Sequence, residues 1–143
     1  MLVGVVGGAT LMVGPVTIGG VRFDVNTLLY CAAATILGSQ LVLFWAYAEI
    51  FAMGEGLLPP DPKLVAAFDY ITLELGLAIG GVTFLAGLVG GVASLADWGS
   101  RGFGNLEASH TLRLVIPSVT LMILGAQGIM SSFFLSVLGL RRR

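Results

Sequence analysis

The sequence has little charge and little of the chemistry that enzymes use. Only 10% of its 143 residues are charged, 57% are hydrophobic, and the formal net charge is −1. Soluble globular domains carry about 25% charged residues, so this composition indicates a membrane protein. The sole basic cluster is the C-terminal run of Arg141, Arg142 and Arg143, which argues against a nucleic-acid partner.

Reactive residues are equally scarce. Cys31 is the only cysteine, which rules out an intramolecular disulfide, and His110 is the only histidine, so no metal-binding cluster is expected. The sequence also has no phosphate-binding loop, no dinucleotide-binding glycine motif and no nucleophile elbow. We therefore predict no catalytic residue, no metal site and no cofactor within this chain.

Long uncharged runs dominate what remains. Four of them are long enough to cross about 30 Å of hydrocarbon as helices that rise about 1.5 Å per residue. The first run has no basic residues before it, and Gly14 and Pro15 interrupt it, so we interpret it as a span rather than a secretory signal. The prediction is an all-α, polytopic, four-helix domain over 1–143, with spans near 1–21, 25–50, 70–96 and 112–140 and a cytoplasmic interfacial segment at 54–69.

The basic residues give an orientation. With four spans, Lys63 and the three terminal arginines share one side of the membrane, and Arg22, Arg101 and Arg113 lie on the other. Because basic residues accumulate on the cytoplasmic side, we predict that both termini are cytoplasmic.

Small residues line one face of the third predicted helix. Gly76, Gly80, Gly87 and Gly91 recur in phase with the helix, with Thr83 and Ser94 on the same face. Small side chains let a second helix approach closely. The sequence leaves open whether the partner helix lies in the same chain or in a second copy, so a homo-oligomer is one alternative.

Two similar motifs place an amide inside an apolar span. These are "ILGSQ", ending at Gln40, and "ILGAQ", ending at Gln127. An amide that faces lipid is costly, so each is expected to point into the bundle and bond another polar group. The amides either join helices or line a lipid or substrate path. The motifs also predict two helical hairpins repeated in parallel.

Three stretches resemble the C-terminal membrane region of bacterial family 2 glycosyltransferases, enzymes similar to dolichyl-phosphate mannose and glucose synthases. They are "TLELGLAIGG" at 72–81, "ADWGSRGFGNLEASHTLRLVIPS" at 96–118 and "MILGAQGIMSSFFLSVLGL" at 122–140. The resemblance covers nearly the whole chain and implies a location in the bacterial cytoplasmic (inner) membrane. It implies an anchor for a cytoplasmic catalytic domain that uses a divalent metal to transfer a sugar from a nucleotide donor to polyprenyl phosphate or another membrane acceptor.

The α/β catalytic domain of that family is missing from these 143 residues. We expect the chain to be a truncation, a separately encoded membrane half or a non-catalytic relative, with the catalytic domain acting in cis or in trans. Its partners are then membrane lipids, including the acceptor. Candidate lipid- or acceptor-binding residues are Gln40, Glu49, Glu74, Gln127, Arg141, Arg142 and Arg143.

Two other functions fit the same composition. One is a small four-helix lipid flippase or transporter subunit, in which glutamines and small residues line a groove. The other is a structural membrane assembly subunit, which the glycine face of the third helix would serve. Solvated carboxylates at the membrane surface are the simplest interpretation of most of the acidic residues.

Overall fold

The computed structural model describes residues 1–59, 62, 73–100 and 108–140. Four helices and one small hairpin make up this part of the chain. In order they are α1 (Leu2–Val13), β1 (Val16–Ile18), β2 (Val21–Phe23), α2 (Val25–Gly54), α3 (Leu73–Ser100) and α4 (Ala108–Leu140).

Three of the helices are long and apolar enough to cross a membrane: α2, α3 and residues Thr111–Leu138 of α4. The helix α1 has 12 residues, a length of about 18 Å at about 1.5 Å per residue. The predicted all-α, polytopic class is confirmed, with four helices. The placement of both termini in the cytoplasm stays a prediction.

The first helix ends earlier than the predicted span 1–21. It stops at Val13, and the next residues form an antiparallel pair of strands in which Val16 lies opposite Phe23. Gly19 and Gly20 connect the strands with φ angles of 58° and 80°. A two-residue hairpin turn with positive φ at both positions favours glycine, and Pro15 opposes continuation of the helix.

The other predicted spans shift at their ends. The helix α2 extends to Gly54, α3 extends to Ser100, and α4 already begins at Ala108. Asp24 begins α2 as its N-cap, and its carboxylate accepts a hydrogen bond from the backbone N–H of Val25. The predicted interfacial segment 54–69 lies mostly outside the described residues.

The helices α3 and α4 form the most extensive contact, and they run antiparallel. Gly76 of α3 lies against Ser132 of α4, whereas Gly87 lies against Ser118. A Cβ atom added at Gly80 would come within 2.9 Å of the backbone nitrogen of Ile129. Glycine therefore lets the two backbones meet directly, as small residues do in membrane helix pairs.

The pair α1–α2 repeats the packing of the pair α3–α4. Gly4 faces the backbone of Cys31 and Thr35, and Gly87 faces that of Ser118 and Met122. Gly87 follows Gly4 by 83 positions, and both α4 residues follow their α2 counterparts by 87.

The same two offsets relate further contacts. Gly38 lies against Met1, and its counterpart Gly125 lies against Phe84. The segments "LVGVVGG" from Leu2 and "LAGLVGG" from Leu85 match at five of seven positions. These contacts support the predicted parallel hairpin repeat.

The hydrophobic core lies at the end of the bundle where α2 and α4 begin. Leu11, Leu28 and Ile116 are buried together, which joins α1, α2 and α4. Val16 and Phe23 of the strands pack against this cluster. The small β-hairpin thus closes one end of the bundle.

Candidate functional site

A groove lies between α2 and α4, and both predicted glutamines line it. Its volume is about 770 Å³. Gln127 is half-buried, and Gln40 is exposed. The prediction that both amides point into the bundle thus fits Gln127, whereas Gln40 reaches the surface of the groove.

The glutamines line the same groove because α2 and α4 are parallel and in register. Tyr47 of α2 packs edge-on against Phe134 of α4, with ring centroids 4.8 Å apart. These two residues are also 87 positions apart, the offset that separates Gln40 from Gln127. The repeated motif therefore places two amides at one depth, on either side of one groove.

One hydrogen bond links the helices inside this region. The Ser39 hydroxyl lies 3.4 Å from Oε1 of Gln127 and 2.7 Å from the backbone oxygen of Ile36. A hydroxyl has a single hydrogen to donate, and the shorter distance identifies Ile36 as its main acceptor. The amide of Gln127 thus retains capacity for another polar partner.

Apolar side chains complete the groove. They come from both helices and are Leu43, Phe44, Ile123, Ala126 and Met130, with the hydroxyl of Ser131 among them. A mostly apolar lining with a few polar groups is typical of sites that bind small molecules.

Glu49 and Glu74 lie at the same end of the bundle as the aromatic pair. Tyr47 is level with Phe134, and Gly76 is level with Ser132, so the two carboxylates flank α4 at similar depth. Glu49 is half-buried, and Glu74 is exposed in the first turn of α3. Arg141, Arg142 and Arg143 lie outside the described residues.

The opposite end carries an ion pair that the sequence analysis did not predict. Nη2 of Arg113 donates to Oδ1 of Asp24 at 2.6 Å, and both side chains are mostly buried. Arg22 lies 3.4 Å from Oδ2 of the same carboxylate but is largely exposed. Asp24 and Arg113 are 89 positions apart, so the local sequence does not indicate that they pair. The position of Asp24 as an N-cap is the only local feature that marks this carboxylate.

This ion pair lowers the pKa of the Asp24 carboxyl from its ordinary value of 3.8. The main cause is the hydrogen bond from Arg113, and burial opposes it. The backbone N–H of Val25 and the positive charges of Arg113 and Arg22 lower the pKa further. The carboxylate is therefore ionised at neutral pH and fastens the start of α2 to the start of α4.

The predicted packing glycines differ in their surroundings. Gly76, Gly80 and Gly87 face α4, whereas a Cβ at Gly91 would meet no atom within 4 Å. Gly90, which was not predicted, faces Ser118 instead. Within the described residues, the partner of this glycine face is thus α4 of the same chain, and Gly91 lines an open groove.

The part of the chain that the structure describes has no cluster of side chains that could bind a metal ion. No group of three or more histidine, cysteine, aspartate or glutamate residues comes together there. Among the described carboxylates, the one with a clearly shifted pKa is Asp24, and arginine engages it. The described residues offer apolar surfaces for binding.

These features define a polytopic helical membrane domain. A model of the glycosyltransferase family 2 C-terminal transmembrane region matches residues 46–139. Because the match covers more than half of the chain, the protein belongs to that family. The predicted resemblance is confirmed.

A curated relative agrees with this assignment. The chain is 32% identical over 127 residues to the low-salt glycan biosynthesis hexosyltransferase Agl6 of Haloferax volcanii. The alignment covers 87% of this chain and 29% of the relative, so the chain spans less than a third of that protein's length. No solved structure matches the chain.

The comparisons support a membrane-anchoring part of a family 2 glycosyltransferase. The family and the helices establish a multi-pass membrane protein. The relative is archaeal, and the location in a bacterial inner membrane stays a prediction. The flippase and assembly hypotheses gain nothing from the family assignment.

Proposed function

We propose that this domain holds a family 2 glycosyltransferase at the membrane and positions a polyprenyl phosphate, or a similar membrane acceptor, for a cytoplasmic catalytic domain. That catalytic domain acts in cis or in trans and uses a divalent metal and a nucleotide sugar. The observation that carries the proposal is the groove between α2 and α4 with its two glutamines.

In this proposal the prenyl chain of the acceptor lies along the groove. The apolar lining accepts isoprene units, and the edge-on pair of Tyr47 and Phe134 bounds the groove toward the Glu49 end. The amides of Gln40 and Gln127 offer both donors and acceptors. An isoprene chain has no hydrogen-bonding atoms, so each amide contacts it through an N–H group that points at the π electrons of a double bond, a weak interaction.

The acceptor phosphate lies at the membrane surface near the ends of α2 and α4. Arg141, Arg142 and Arg143 directly follow Leu140 in sequence, and arginine pairs well with phosphate. Ionised carboxylates only accept hydrogen bonds. Glu49 and Glu74 therefore contact hydroxyl groups of the sugar or the catalytic domain, rather than the phosphate itself.

The test is binding of a short-chain polyprenyl phosphate to the full chain in lipid nanodiscs. Gln40→Leu and Gln127→Leu, singly and together, are compared with Thr83→Val. The control removes a hydroxyl from a spanning helix, where the Thr83 hydroxyl donates to the Ile79 carbonyl of its own helix. We expect the double variant to weaken binding about tenfold, equivalent to about 1.4 kcal/mol.

Two outcomes contradict the proposal. One is unchanged binding in the double variant while Thr83→Val behaves like the unsubstituted chain. The other is equal loss in all variants, which indicates a general effect of removing polar groups. Replacing polyprenyl phosphate by the corresponding alcohol tests the arginines, since only the phosphate form should respond to Arg141→Gln, Arg142→Gln and Arg143→Gln made together.

A further inference from the structure

An open apolar groove of about 400 Å³ lies between α1 and α4, in the half of the bundle that contains the ion pair. Leu28 and Thr35 of α2 are buried and form its floor. Met12 of α1 and Leu121 of α4 are exposed along its two sides, so the groove opens toward the surrounding lipid. From Gly4 to Met12 it runs about 12 Å along α1, at about 1.5 Å per residue.

The helix faces that form this groove continue into the ion pair at the Asp24 end. On α4, Pro117 and Thr120 line the groove, and Arg113 lies one turn before Pro117. On α2, Leu28 lines the groove, and its backbone N–H donates to the carbonyl of Asp24 at 3.1 Å. Because residues three or four apart share a helix face, the ion pair lies at one end of the groove.

This end of the groove lies at the membrane surface and carries positive charge. Asp24 directly precedes the spanning helix α2, and Arg113 is the third residue of the spanning part of α4. Arg22 and Arg113 both contact the Asp24 carboxylate, so the three side chains together carry one positive charge. The Arg22 side chain is 68% exposed, and a guanidinium has five N–H donors. Arg22 can therefore bind a further anion.

We propose that this groove binds an anionic phospholipid, with an acyl chain against its apolar walls and the phosphate at Arg22, beside the pair of Asp24 and Arg113. Apolar exposure alone is normal for a helix in lipid. Charge complementarity selects the occupant, since a phosphodiester carries one negative charge and arginine pairs well with phosphate. A zwitterionic lipid adds a positive charge to its headgroup and binds more weakly. This site is separate from the groove that holds the glutamines.

The first test counts the phospholipids that stay bound when the full chain is released from nanodiscs into a native mass spectrometer. The nanodiscs contain equal amounts of phosphatidylglycerol, which is anionic, and phosphatidylcholine, which is zwitterionic. Arg22→Gln removes the exposed positive charge, and Arg22→Lys is its control. Ala9→Phe fills the groove. Its control is Val6→Phe, because Val6 lies on the same helix and is 63% exposed outside the groove lining.

We expect the unsubstituted chain and both controls to retain phosphatidylglycerol in preference to phosphatidylcholine. Arg22→Gln should lower this preference about fivefold, which is the contribution of one basic residue near an anionic membrane surface. Ala9→Phe should lower the retention of phosphatidylglycerol by about the same factor or more. Equal retention of the two lipids by the unsubstituted chain overturns the proposal. So does a normal preference in either Arg22→Gln or Ala9→Phe, or an equal loss in Ala9→Phe and Val6→Phe.

The second test locates the lipid on the unsubstituted chain, so it does not depend on the folding of a variant. Phosphatidylglycerol with a photoreactive diazirine on one acyl chain is added to the nanodiscs, and the labelled positions are mapped by peptide sequencing. We expect labels at residues 4–12 of α1 and 116–124 of α4, in excess over the matching phosphatidylcholine probe. Equal labelling of these residues by the two probes overturns the proposal, as does phosphatidylglycerol labelling that is concentrated elsewhere.

Discussion

The two ends of this bundle are built differently. At the Asp24 end, a β-hairpin, a buried apolar cluster and an ion pair between helices close the structure. At the Glu49 end, α2 and α4 leave a groove with two glutamines, and two carboxylates flank α4. In the proposed function the catalytic domain lies outside this membrane region, so one end needs to be stable and the other accessible.

The difference indicates how rigidity and binding are separated along the same helices. Both α2 and α4 extend from the closed end to the open end. Two contacts between them, Asp24 with Arg113 and Leu28 with Ile116, lie at the closed end. In the proposed function, a lipid that enters at the open end leaves these contacts intact.

The largest effect is expected from Gly87→Leu, which disrupts the packing of α3 against α4 toward the closed end. A Cβ at this position would lie 2.5 Å from the Ser118 carbonyl oxygen and 2.6 Å from the Met122 nitrogen, both backbone atoms. We expect a loss of about 1–3 kcal/mol in unfolding free energy from overpacking. Thermal unfolding in detergent measures it.

Gly81→Leu is the matched control, in the same helix with no atom within 4 Å of the added Cβ. Leucine has a higher helix propensity than glycine by about 0.5–1 kcal/mol, so this variant should be as stable as the unsubstituted chain or more so. Equal destabilisation by both substitutions would show that packing at Gly87 is not the cause.

A smaller effect is expected from Asp24→Asn, which removes the charge that fastens the closed end. The variant should unfold at a lower temperature, because Arg113 is mostly buried and loses its partner. Arg22→Gln is the control, since Arg22 is largely exposed and 3.4 Å from the carboxylate. It should have little effect.

The same ion pair predicts an acid response. The folded pKa of Asp24 lies below its ordinary value of 3.8, so the stabilisation is present above that value and is lost as the pH falls through the folded pKa. Unfolding temperatures measured from pH 6 downward should converge for the unsubstituted chain and Asp24→Asn. A constant difference at all pH values would contradict this assignment.

Sequence reasoning predicted the spanning helices because long apolar runs require helical structure in lipid. The order of four spans also predicted that α2 and α4 run in the same direction, and "ILGSQ" and "ILGAQ" predicted the repeat of the two hairpins. It extended α1 too far because Val16, Ile18 and Val21 fit an apolar helix and a strand equally well. The Gly19–Gly20 pair favours the strands, because both residues adopt the positive φ angles of a hairpin turn.

The contacts between distant residues were harder to predict. The glycine pattern shared by "LVGVVGG" and "LAGLVGG" was present in the sequence. Only the backbone contacts of Gly4 and Gly87 show that it marks equivalent packing positions in the two hairpins. The pairing of Asp24 with Arg113 leaves no periodic signal at all, since single charges 89 positions apart do not identify each other.

The smallest stability effect is expected at the open end, from Gln127→Leu. The Ser39 hydroxyl reaches Gln127 at 3.4 Å and bonds Ile36 at 2.7 Å, so the link between helices is weak. Side-chain hydrogen bonds in membrane proteins contribute about 0.6 kcal/mol on average, and we expect no more than that in thermal unfolding. A loss as large as that of Gly87→Leu would mean that the amide joins α2 to α4, and the groove would then be part of the scaffold rather than a place for the acceptor. A small loss of stability combined with a clear loss of polyprenyl phosphate binding assigns Gln127 to the ligand. An amide that binds a lipid keeps some of its hydrogen-bonding groups unused in the free protein, so its removal costs little stability.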